Sequence, residues 1–164
     1  MTAYDIRPYD APQGGVDFTS SFPLTASASF SEGEPVVLAA AGGIGECTDD
    51  PATVTGVSAV RSTDADGTVR ATGTLISVII PVDSQRFSCQ NFATDGAGTL
   101  TTPTQANAIG ESAGLSLTGV QWSVDTGTGN LIVEIDDVVD IHGFSINDPQ
   151  HVPGTANAVI FRFI

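Results

Sequence analysis

At 164 residues, with 41% hydrophobic and only 15% charged side chains, the chain suits one folded domain with a real core and argues against wholesale disorder. Nineteen acids face five arginines and no lysine, a formal net charge of −14, which repels phosphate backbones and argues against a nucleic-acid partner. Eighteen glycines, with many Thr, Ser and Val, favour strands and tight turns over helices.

Residues 1–25, MTAYDIRPYDAPQGGVDFTSSFPLT, hold three prolines, isolated aromatics and no sustained period. They read as an extended N-terminal arm preceding a single domain over 26–164. Its apolar and aromatic anchors, Tyr4, Ile6, Tyr9, Phe18 and Phe22, with Arg7 among them, need a surface to lie on. That surface is either the protein's own domain or a neighbouring subunit. The first fifteen residues contain no apolar stretch of signal-peptide type, and no run approaches a transmembrane helix in length. The expectation is a protein made in the cytoplasm with no membrane partner.

Gly33-Glu34-Pro35 opens a short strand over 35–38, a small-residue turn leads to 44–47, and the acidic turn Thr48-Asp49-Asp50-Pro51 leads to a third strand around 54–59. Asp64-x-Asp66-Gly67 has the first residues of a calcium loop but none of its later ligands, and it reads as a hairpin turn. Val69–Val82 is the longest β-like stretch, ended by Pro81, and 85–90 alternates as a half-buried strand should. Residues 91–114 read as a loop with room for one helical turn near 105–109. Val120, Trp122 and Val124 alternate before Asp125-Thr-Gly-Thr-Gly-Asn130, and Leu131, Val133 and Ile135 alternate after it, which predicts a hairpin across 125–130. The last residues, 158–164, predict a closing strand. The sum is an all-β fold of nine or ten strands, a small antiparallel β-barrel or β-sandwich.

Three places could carry chemistry. Asp125-Thr126-Gly127 is the core triplet of aspartic proteases, in which two carboxylates share a proton. Ser123 stands where that family has an apolar residue, so the loop reading is preferred and a retropepsin-like protease is kept as a remote alternative. Asp136, Asp137, Asp140 and His142 could gather round a divalent cation, but alternate side chains of an extended segment point apart, and the cluster reads as a solvated acidic turn. His142 and His151 lie near no nucleophile motif. Cys47 and Cys89, 42 residues apart without metal-ligand spacing, read as buried free thiols, with a disulfide as the alternative. The chain is therefore expected to be no enzyme and to use no cofactor or metal.

Phe30-x-x-Gly33-Glu34-Pro35-Val36-x-Leu38, then Asp50-Pro51-x-x-Val54-x-Gly56-Val57-x-Ala59, resembles the opening of small β-barrel head proteins of tailed bacteriophages, the capsid decoration or cement proteins. Ile80-Pro81-Val82, Trp122-Ser-Val-Asp125 and Val159-Ile-Phe-Arg-Phe163 extend the resemblance as scattered positions over roughly 28–164. It implies a non-enzymatic virion protein on the outer capsid surface that stabilises the shell. The implied partners are the major capsid protein and further copies of itself, as a homotrimer or, second, a dimer. The arm residues Tyr4, Ile6, Arg7 and Tyr9 are the expected capsid contact, through many copies engaging one lattice. The alternative role is a tail, baseplate or fibre subunit of a virion.

Overall fold

The structure, a computed structural model, describes residues 6–10, 18–82 and 85–164. Twelve strands are present among them: β1 (Ile6–Asp10), β2 (Thr19–Pro23), β3 (Pro35–Leu38), β4 (Ile44–Glu46), β5 (Gly56–Ser58), β6 (Leu75–Ile79), β7 (Arg86–Cys89), β8 (Phe92–Ala93), β9 (Ser112–Thr118), β10 (Gln121–Asp125), β11 (Val133–Asp140) and β12 (Ala156–Phe163). They form a seven-stranded sheet in the order β1-β7-β12-β11-β9-β10-β8 and a five-stranded sheet in the order β2-β6-β5-β3-β4. All pairings are antiparallel except the short β8–β10 contact. Neither sheet closes on itself, so the expected all-β class takes its sandwich form rather than its barrel form.

One core lies between the sheets. Val57 and Ile79 of the five-stranded sheet, with Cys47 beyond β4, join Phe87, Cys89, Leu115, Trp122, Val124, Val159 and Phe161 of the other. Each fully buried side chain of this size contributes about 1.5–3 kcal/mol of transfer free energy. Phe87 stacks on Phe161 at 6.0 Å between centroids, and Phe163 meets both rings edge-on. Alternation sends Val36 the other way from Val37, and a second cluster forms there from Leu24, Phe30, Val36, Ile44, Ile76 and Val78. The five-stranded sheet is thus apolar on both faces, which is why its strands read as short continuous apolar runs.

Several expectations are corrected. The hairpin across 125–130 does not form: β10 pairs with β9 through the two-residue turn Gly119-Val120, and β11 pairs with β12 and β9. Val120, read as a strand residue, sits in that turn and is 83% exposed. Gly119, at φ +65°, supplies the left-handed conformation such a turn needs. The long β-like stretch 69–82 yields only β6, because Val69 bridges back to Thr63 around the Asp64–Gly67 turn. The stretch 91–114 is not wholly loop; it contains β8 and the first residues of β9, while a helical turn is closed by Ala108 N–H bonding the Thr104 carbonyl. Asp136, Asp137 and Asp140 belong to β11 rather than to a solvated turn.

Candidate functional site

The arm segment enters the fold twice, as an edge strand of each sheet: β1 beside β7, and β2 beside β6. Of the four arm residues expected to make contact, Tyr4 lies outside the described residues. Ile6 is 1% exposed and packs in the main core opposite Cys89. Its N–H donates to the carbonyl of Gly33 at 3.2 Å, in the Gly-Glu-Pro opening of β3. Arg7 and Tyr9 alternate to the other face and are exposed, Tyr9 by 41%. The Arg86 guanidinium lies 5.5 Å from the Tyr9 ring centroid, a cation–π contact that fixes the ring on the outer face of the sheet. The structure therefore splits the three described residues: Ile6 is buried, while Arg7 and Tyr9 are exposed.

Further along the same face, Arg162 forks between Asp136 (2.6 Å) and Glu134 (2.8 Å). This bidentate use of a guanidinium matches the rigid geometry of arginine. Arg7, Arg86 and Arg162 follow on β1, β7 and β12, which are neighbours in the sheet. Three of the five cations of a chain at −14 are thus gathered on one edge region. Sequence reasoning found Arg7 but not Arg86 or Arg162. Clean alternation in 86–89 and 158–163 was the available signal, since it puts both arginines opposite the core face.

The acids singled out for chemistry are engaged elsewhere. Asp125 is fully buried. Its Oδ1 accepts from the N–H groups of Gly96 (3.0 Å) and Gly127 (2.8 Å), and its Oδ2 from Gly98 N–H (3.1 Å) and Ser116 Oγ (2.9 Å). Four donors on one carboxylate tie the 94–99 loop to the 125–130 loop and to β9. The loops touch so closely that a Cβ on Gly127 would collide with the backbone of Asp95 and Gly96. Asp50 extends the knot: its carboxylate accepts from Gly129 (3.2 Å) and Asn130 (3.0 Å), and Asn130 Nδ2 donates to its carbonyl at 2.7 Å. Asp49 accepts from Leu117 N–H at 2.7 Å. The acidic turn between β4 and β5 thereby clips one sheet to the other.

Asp140 is buried, with Oδ1 accepting from His142 N–H (2.8 Å) and Phe144 N–H (3.0 Å). Its Oδ2 faces Val152 N–H (3.4 Å) and His151 Nδ1 (3.6 Å). Burial works to raise its pKa, but the amides of Phe144, His142 and Val152 and the nearby His142 charge together hold the carboxyl below the usual aspartate value. The group thus closes the 141–155 connection rather than facing solvent as a ligand. Asp137 accepts from Ser145 Oγ at 2.8 Å. Among the described residues no three His, Cys, Asp or Glu side chains converge as metal ligands. Cys47 and Cys89 are buried free thiols, and burial, with the Glu46 charge, pushes the Cys47 thiol up to about 12.

No family model, no curated protein and no solved structure matches this chain.

Proposed function

We propose that this protein is a non-enzymatic structural subunit of a virion that binds the outer surface of a phage capsid and stabilises it. The observation that carries the reading is the division of labour along β1: one residue, Ile6, is sunk in the core, and its neighbours Arg7 and Tyr9 are held outward on a sheet edge beside Arg86. Such an edge can receive a partner through backbone pairing and side-chain contact at once. The acidic remainder of the surface favours solubility and disfavours contact with packaged DNA. The buried carboxylates Asp125 and Asp140, which a hydrolase reading would need at a cleft, are occupied by backbone amides of their own loops.

The test is binding of the purified protein to expanded shells lacking it. Saturation in copies comparable to the number of capsomer sites is expected, with Arg7→Ala and Tyr9→Ala each weakening binding by about tenfold, as interface anchors do. Failure of the parent protein to bind any shell removes the reading. Labelling at the tail in a few copies per particle selects the tail, baseplate or fibre alternative instead.

A further inference from the structure

We infer that β2 is a self-association edge, and that β2 of one copy of this chain pairs antiparallel with β2 of a second copy. The inference goes beyond the virion reading and does not depend on it. It rests on where the charge of the chain lies and on which sheet edge is left open.

Charge is divided unequally between the two sheets. Strands β2, β6, β5 and β3 hold no charged residue, and Glu46, on β4 at the far edge, is the only one in the strands of the five-stranded sheet. Arg7, Arg86, Asp125, Asp137 and Arg162 are among those in the strands of the other sheet. Two chains at −14 repel, so copies approach at least cost where neither presents a charge, as in the charge-depleted centres of protein interfaces. The same edge shows apolar groups to solvent. Phe18 is 53% exposed and Leu75 66%, while Phe22 and Ile80 are partly buried against the second apolar cluster.

Three of the four sheet edges are blunted. β1 carries Arg7 and Pro8, and its ladder is interrupted before Asp10, features that discourage pairing between identical edges. β4 is covered by Thr25, whose N–H and Oγ1 donate to the Ile44 carbonyl at 3.0 and 3.1 Å. β8 is two residues long, and Thr101 N–H donates to the Phe92 carbonyl at 2.8 Å. β2 is the fourth edge: Thr19, Ser20 and Ser21 are all exposed, and among the described residues it pairs only with β6. The Phe18 carbonyl accepts from Ile80 N–H, and Leu24 N–H donates to the Thr74 carbonyl, both at 2.8 Å. Alternation between these two bonds turns the backbone of Ser20 and Phe22 toward β6 and that of Thr19 and Ser21 away from it. Pro23 also faces outward but has no N–H to offer. The register that uses both outward donors sets Ser20 opposite Ser20 on a two-fold axis, with Thr19 of each copy opposite Ser21 of the other. Phe18 of each copy then stands opposite Phe22 of the other, and the two five-stranded sheets run on as one.

Ser20 supplies the test. In this register it forms a non-hydrogen-bonded pair with its counterpart, where a Cα separation of about 4.5 Å lies within disulfide range. The full chain is followed by sedimentation velocity over a concentration series at low and high salt. A dimer that grows with protein and with salt is expected, since salt screens the repulsion between chains. Ser20→Lys, which sets like charges face to face, is expected to abolish it with the circular dichroism unchanged. Under mild oxidation Ser20→Cys is expected to form a reducible dimer severalfold faster than Ala106→Cys, an exposed position on the turn closed by Ala108. The parent chain, whose two thiols are buried, is the blank. The proposal is overturned by a chain that stays monomeric throughout, by an assembly that Ser20→Lys leaves intact, or by a Ser20→Cys cross-link no faster than that of Ala106→Cys.

Discussion

The two ends of the molecule solve the same problem in opposite ways. Around Asp125 and Asp50, three loops and two sheets are fixed by carboxylates whose every oxygen is engaged, with glycine permitting backbone-to-backbone approach. Around β1, an edge strand is held by pairing with β7, by the buried Ile6 side chain and by the Ile6 N–H bond to the Gly33 carbonyl, beside an open groove. The first region is dense, polar and costly to disturb. The second is a sheet edge, and it carries the exposed Arg7 and Tyr9.

The largest effect that sharpens this contrast is expected from Asp125→Ala. Four donors lose their acceptor, three of them backbone amides, and each buried donor left unpaired costs about 1–3 kcal/mol, so a loss of about 3 kcal/mol or more in urea unfolding is expected. A loss below about 1 kcal/mol, within the range of ordinary surface changes, would break the assignment of Asp125 as the organiser of these loops. Ile6→Ala comes next. Ile6 is buried in the main core, and truncation of an isoleucine there costs about 2–5 kcal/mol, so about 2 kcal/mol is expected, with loss of amide-exchange protection along 86–89. A value below about 1 kcal/mol, within the range of ordinary surface changes, would show that Ile6 does not anchor the strand.

The smallest effect is expected on the acid side. Asp140, Asp95 and Asp66 all have pKa values held below the ordinary aspartate value in the folded state. For Asp95 the main causes are the Thr99 hydroxyl and the Ala97 amide, and for Asp66 the Thr68 amide and hydroxyl. A depressed carboxyl contributes stability that is fully present above the unfolded value near 4 and lost as pH falls through the folded value. Melting temperature is therefore expected to be level from neutral pH down to about 5 and to decline below about 4. Asp140→Asn should flatten part of that decline, whereas an unchanged slope would remove Asp140 from its causes.

How much of this was legible in the chain differs by feature. Strand identity was readable at 86–89, 121–125 and 156–163, although burial alternates only in 86–89, while the other two strands are buried over four consecutive residues. The acidic turn at 48–51 was readable as a turn. Its role as a clip between sheets was not, because Asp50 acts on residues about 80 positions away. The error at 125–130 is instructive. Asp-Thr-Gly-Thr-Gly-Asn between two alternating runs satisfies every local rule for a hairpin. Yet Asp125 is buried, and its amide donors arrive from Gly96 and Gly98 as well as from its own loop. Local pattern registers the turn but not the carboxylate's distant partners, and those partners choose which strands pair.

For the candidate site, the sequence exposed Arg7 and Tyr9 as unusual residues in a proline-rich segment. It could not say which of Ile6, Arg7 and Tyr9 would be buried, since five residues of mixed character have no period long enough to define a face. Pairing with β7 decided that, by burying Ile6 and leaving Arg7, Pro8 and Tyr9 exposed. The gathering of Arg7, Arg86 and Arg162 likewise needs three strands, distant in sequence, to lie side by side.

By itself, then, the sequence determined an all-β chain with a strongly acidic surface and a distinctive N-terminal segment, because composition, period-two alternation and turn residues are local or additive properties. Tertiary structure alone decided that the two sheets form an open sandwich, that Asp125 and Asp140 are spent inside loops, and that β1 takes a sheet edge with Ile6 buried and Arg7 and Tyr9 exposed. Those outcomes depend on pairings across long stretches of chain, where burial and hydrogen-bond satisfaction are settled jointly rather than residue by residue.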